Sequence, residues 1–135
     1  MRQITSIKSL SAILFLSLVL TFASCDKSSD PDVESREVTY EITGSYTGEV
    51  MVLYTNETGQ TQTINNVSLP WTKKIKVANN VPAVTFTAAT NSSKPDQAGK
   101  IATAKLHIGT EVKESVNQTA DKNGFFQFGA LSFTY

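Results

Sequence analysis

Two residue types able to do covalent or acid–base chemistry occur once each in this chain: Cys25 and His107. Cys25 follows the small pair Ala23-Ser24, which closes an apolar stretch running from Leu10 to Phe22 behind the basic residues Arg2 and Lys8. Basic end, short apolar run and small-residue cleavage point are the parts of a secretory signal. A cysteine directly after that point is the residue whose thiol is alkylated with diacylglycerol. Cleavage then frees its amine for acylation by a fatty acid such as palmitate. Several acyl chains on one residue anchor stably where a single chain binds marginally. The apolar run itself is shorter than the roughly 20 residues a mature membrane span needs. Residues 1–24 are therefore expected to be a lipoprotein signal peptide and Cys25 the lipidated first residue, although Phe22 stands where this motif more often has leucine. An unpaired thiol would otherwise be out of place in an oxidising compartment.

His107 offers less. One histidine cannot build a histidine-rich zinc site. A serine–histidine–carboxylate arrangement would have to draw on Ser45, Ser68 or Ser115, none of which sits in a nucleophile turn. No glycine-rich phosphate loop and no spaced-acid calcium loop is present. The sequence thus nominates no catalytic residue, metal ligand or cofactor, and the expectation is a protein that is not an enzyme.

Composition narrows the partners. The whole chain is formally neutral, and without Arg2 and Lys8 its 12 basic residues become 10 against 12 acidic ones, a balance of −2. Nothing in that balance suggests nucleic acid, which would call for a basic face. The only basic cluster, Lys73, Lys74 and Lys76, reads as a solvated strand face. From Asp26 to Arg36 the chain is polar and acidic, too poor in apolar groups to offset the entropy of ordering. Residues 25–36 are read as the lipidated cysteine and a flexible tether, with a reach of roughly 35 Å at full extension. Residues 37–135 are read as one folded domain. With Cys25 as the sole cysteine, that domain must be held by its apolar core.

The elements that carry these residues are strands. Val38, Tyr40, Ile42 and Tyr46 alternate with Glu37, Thr39, Glu41 and Ser45, the period-two pattern of a half-buried strand. Residues 48–56 are apolar on both faces and predict a central strand. Short strands are expected at 61–64, 71–77 and 83–89, with turns at Asn56–Gly59, Asn65-Asn66 and Asn79-Asn80. A loop over 91–99 precedes a strand at 100–108, a hairpin at Gly109-Thr110 and a polar, peripheral return strand at 111–118. Asn123-Gly124 marks another turn, and the aromatic-rich stretch 125–135 closes the chain. The expected fold is all-β: an antiparallel immunoglobulin-like sandwich of about seven or eight strands, with a closed barrel as the alternative.

One short segment invites a functional reading. In Leu69-Pro70-Trp71 the proline cannot donate to a ladder and belongs at an edge or strand start. Trp71, the lone tryptophan, reads either as a core residue or as an interface anchor, since tryptophan is enriched where proteins bind one another. The three are taken as the candidate interaction residues.

In order along the chain, VTYEITG (38–44), VLYTNETG (52–59), NNVSLPW (65–71) and AKLHIGTEV (104–112) follow a family pattern: a V-x-Y-x-V-x-G strand, an x-Y-T-N-x-x-G hairpin, a V-x-L-P-W segment and a strand with a glycine turn. This order resembles the MmpS family, small membrane-anchored partners of lipid and siderophore exporters in mycobacteria. The Leu69-Pro70-Trp71 block and its distance from Tyr54-Thr55-Asn56 are the most specific part. The resemblance implies an immunoglobulin-like sandwich on the outer side of a membrane, assisting an RND-type transporter. Two features differ from the family. Its members are typically held by an uncleaved transmembrane helix, and they tend to carry a cysteine pair in the last strands, where Ala104 stands in place of the first. The function expected is a lipid-anchored, non-catalytic envelope protein working through protein contacts, with membrane and transporter as partners. The alternative is a glycan- or lipid-binding module using Trp71 and the 91–99 loop.

Overall fold

The computed structural model describes residues 34–135; the signal segment, Cys25 and most of the expected tether lie outside the described residues. Eight strands follow one another: β1 (Glu37–Gly44), β2 (Glu49–Thr55), β3 (Thr61–Ser68), β4 (Trp71–Lys76), β5 (Ala83–Thr90), β6 (Ile101–Ile108), β7 (Glu111–Thr119) and β8 (Leu131–Thr134), with one 3-10 turn at Pro95–Gln97. They form two four-stranded sheets of order β4-β1-β6-β7 and β3-β2-β5-β8. Every strand pairing is antiparallel. The fold is the antiparallel immunoglobulin-like sandwich that the alternation predicts.

The period-two pattern explains which residues meet between the sheets. Val38, Tyr40 and Ile42 of β1 and Ala102, Ala104, Leu106 and Ile108 of β6 are buried from one sheet; Val50, Val52 and Tyr54 of β2 and Val84, Phe86 and Ala88 of β5 are buried from the other. Their intervening neighbours face outward. Tyr40 joins the layers, its ring centroid 5.3 Å from that of Tyr54 and 5.2 Å from that of Phe86. Its hydroxyl donates to the carbonyl oxygen of Thr55 at 2.7 Å, so the polar end of the ring is satisfied inside the core. Each large apolar side chain taken from water this way contributes about 1.5–3 kcal/mol.

Burial pushes the ionisation of Tyr40 well above the ordinary phenol range. An unfolded tyrosine ionises near pH 10, so above that pH the folded state keeps a proton that the unfolded state has lost. The contribution is therefore complete below pH 10 and is lost as pH rises toward the folded value, by up to about 1.4 kcal/mol per pH unit. Urea midpoints measured from pH 8 to pH 11 are expected to fall above pH 10, and Tyr40→Phe is expected to flatten that fall. An equal slope in both proteins would remove Tyr40 from the account.

Three parts of the chain differ from the expected pattern. β3 runs through Asn65-Asn66 instead of turning there, because Asn66 takes a left-handed φ of 56° and the register against β2 shifts between Val50 and Val52, absorbing the residue as an irregularity. Asparagine is among the few side chains that tolerate this conformation. The change of sheet comes instead at the cis Leu69-Pro70 peptide. Finally, only Leu131–Thr134 of the aromatic closing stretch is a strand. Phe126 and Phe128 are buried all the same, anchored by backbone bonds from Thr90 N to Phe126 O and from Phe128 N to Ala88 O.

Glu34–Arg36, within the segment expected as a tether, lie against the domain. Arg36 donates to the carbonyl oxygen of Val81 at 2.7 Å and its guanidinium stacks 3.9 Å from the Tyr135 ring centroid.

Candidate interaction surface

Of the three candidate interaction residues, Leu69 is buried at 7% exposure, Pro70 is exposed and Trp71 is half-buried. Trp71 starts β4 opposite Ile42. Its ring stacks on Phe86 at 6.1 Å and lies 6.2 Å from Tyr54. The segment thus combines an apolar foot in the core, an exposed proline and a tryptophan with part of its surface free. Trp71→Ala is expected to cost about 3 kcal/mol, the lower end of the range for aromatic truncation because the ring is not fully enclosed. Denaturant melts followed by circular dichroism measure this; a loss below about 1 kcal/mol would mean the stacking is not stabilising.

His107 lies on the outer face of its sheet, where its Nε2 is 2.9 Å from a carboxylate oxygen of Glu41 on the adjacent β1. Across β7 it faces Val112. The three serines that could have joined it are placed elsewhere. Ser45 is tied to Ile101, accepting from its N–H at 3.0 Å, six positions along β6 from His107 and so about 20 Å away. Ser68 belongs to the other sheet, and Ser115 stands opposite Lys105. Among the described residues, no group of three His, Cys, Asp or Glu side chains is placed to hold a metal ion.

The surface carries several charged contacts, some within one strand and some between segments that only the fold brings together. Lys74 pairs with Glu37 at 2.9 Å across β4 and β1, holding the Glu37 carboxyl below its usual range. Lys113 pairs with Glu111 at 2.8 Å and also lies 3.5 Å from Glu34. Exposed pairs of this kind contribute little to stability. A cleft of about 390 Å³ opens between Lys113–Val116 of β7 and Gly129–Leu131 before and within β8. On its rim the Glu114 carboxylate accepts from the backbone N–H of Ser132 at 2.8 Å. The loop over 91–99 is largely exposed but pinned: Lys94 N and the Ser93 hydroxyl both donate to Asn123 O, at 2.9 and 3.0 Å.

The sequence model of the Mycobacterium membrane protein family matches residues 7–121. The chain belongs to this family, the MmpS-like proteins, which are associated with membrane transporters. Membership places it with membrane and envelope proteins. The match ends before β8, so Phe126, Phe128 and Leu131 of the core lie beyond it. No curated protein matches the chain. Among the described residues no helix is long and apolar enough to cross a membrane.

Proposed function

We propose that this protein is a lipid-anchored, non-catalytic component of the cell envelope that acts by protein contact as an accessory to an RND-type membrane transporter. The observation that carries this reading is the family match over residues 7–121. Cys25 supplies the lipid anchor, after removal of residues 1–24, and takes the place of the uncleaved helix typical of the family. The Leu69-Pro70-Trp71 corner is the contact site: a partner meets Pro70 and the uncovered part of Trp71, while Leu69 holds the corner to the core. Protein contact is favoured over glycan binding because the Trp71 ring already stacks on Phe86, which leaves less of its face for a sugar.

In-cell crosslinking of the intact chain, followed by mass spectrometry, tests the proposal. The expected result is recovery of a transporter subunit, lost in Cys25→Ala, together with loss of fatty-acid labelling in that variant. Recovery without any transporter component would sink the accessory role. Undiminished labelling of Cys25→Ala would sink the anchor.

A further inference from the structure

A β-sandwich has free sheet edges, and each is a template for another strand unless something blocks it. Among the described residues the free edges belong to β4, β7, β3 and β8. Along β4 stand Lys73, Lys74 and Lys76, the charged residues that discourage pairing. β3 carries the left-handed Asn66 and a shifted register. β8 is four residues long, and the Ser132 N–H is already taken by the Glu114 carboxylate.

β7 is different. It is nine residues long, and from Ser115 to Thr119 its register with β6 runs unbroken from Lys105 to Ile101. That stretch, SVNQT, holds no charge, proline or glycine. The backbone of the next residue shows which groups are free. Ala120 donates to Lys100 O at 2.8 Å and accepts from Gly99 N at 2.9 Å, so its polar groups face the β6 side. In an antiparallel ladder the direction alternates. Val116 and Gln118 therefore bond toward β6, and the N–H and C=O groups of Ser115, Asn117 and Thr119 point to the open edge.

We propose that this edge pairs with the same edge of a second copy, β7 antiparallel to β7 about a two-fold axis at Asn117. Self-complementarity is what selects a second copy as the occupant. In this register Ser115 faces Thr119 of the second copy, a hydroxyl pair, and Asn117 faces its own equivalent, an amide pair. Both kinds of pair hydrogen-bond across strands. Val116 faces Gln118, and no like charges are opposed within the stretch. At its margins Lys113 and Asp121 are brought toward each other with opposite sign. The three outward pairs exchange two bonds each, about six backbone hydrogen bonds in all. The contact is isologous, as a closed two-fold dimer requires.

The test uses the intact chain in detergent micelles, with mass measured by analytical ultracentrifugation over roughly 1–100 µM, a range that brackets micromolar affinity. A dimer is expected. Asn117→Lys places two lysines directly opposite each other at the axis, their Cα atoms about 5.5 Å apart, and this like-charge pair is expected to weaken association at least about tenfold. At concentrations low enough for the parent chain to be monomeric, its melting midpoint should not move, because the Asn117 side chain is exposed and its backbone groups point away from β6. Thr63→Lys, on the edge of β3, should leave the dimer intact. Asn117→Cys should crosslink two copies on mild oxidation beyond the background set by Cys25 in the parent chain, since the expected spacing suits a disulfide. A monomer across the whole range, a dimer indifferent to Asn117→Lys, or capture of a different protein by a photocrosslinker at position 117 in cells would each overturn the proposal.

Discussion

Tyr40→Ala is expected to destabilise the domain by about 4–5 kcal/mol, the upper range for removing a buried aromatic side chain. Tyr40 is fully buried and bridges the two sheets through Tyr54 and Phe86. Truncation opens a cavity between sheets, and it also strips the Thr55 carbonyl of its 2.7 Å donor. Domains of this size hold only about 5–15 kcal/mol in total, and no disulfide is available to limit the unfolded chain. Tyr40→Phe separates the two contributions. It keeps the ring and loses the hydroxyl, for an expected cost of about 1–2 kcal/mol. Urea denaturation of both variants decides the matter. A Tyr40→Ala loss no larger than that of Tyr40→Phe would mean that the ring does not bridge the layers.

The core was legible because strand alternation is a local signal. Val38, Tyr40 and Ile42 read as one face from spacing alone, and all three are buried. The polar return strand also read correctly as peripheral, since β7 ends its sheet. Local signals misled where a polar pair had two physical uses. Asn65-Asn66 has turn chemistry, but one asparagine at φ 56° serves equally as an irregularity inside a continuing strand. The aromatic density of 125–135 marked a closing stretch without giving its conformation, since buried phenylalanines need only a route past the core. Phe126 and Phe128 find one in an irregular segment tied to β5 by Thr90 and Ala88.

The surface was less legible because its contacts depend on register between distant strands. Glu41 and His107 meet only because β1 and β6 are neighbours, and Arg36 finds Tyr135 only through the folded ends of the domain. The family resemblance rested on the order of short segments, and the match over residues 7–121 establishes it. The cysteine expected by that resemblance has a simple structural replacement. Ala104 is fully buried and stands opposite Val116 in the β6–β7 ladder, so packing closes the site.

The second large effect is expected at Gly44, where the constraint is backbone rather than apolar. Gly44 ends β1 with φ 128°, a conformation closed to other residues for steric reasons. A Cβ there would lie 2.2 Å from the carbonyl oxygen of Ile101 and 3.1 Å from the Ala102 Cα. The approach is close because that same oxygen accepts from Ser45 N at 2.8 Å and Tyr46 N at 3.1 Å. Ile101 N returns a bond to the Ser45 hydroxyl. Gly44→Ala must therefore strain the backbone, at about 1–3 kcal/mol, and weaken bonds worth about 1 kcal/mol each, for a total of about 3–5 kcal/mol. Two other glycines separate the causes. Gly99 has φ 73° with nothing near its missing Cβ, so alanine there meets strain alone, about 1–2 kcal/mol. Gly129 has open space and no left-handed φ, and alanine there should be neutral or stabilising by up to about 1 kcal/mol. Thermal melts of the three variants should rank Gly44 far below Gly99, and Gly99 below Gly129. Equal losses at Gly44 and Gly99 would show that φ alone sets the cost and that the crossing at Ile101 can relax.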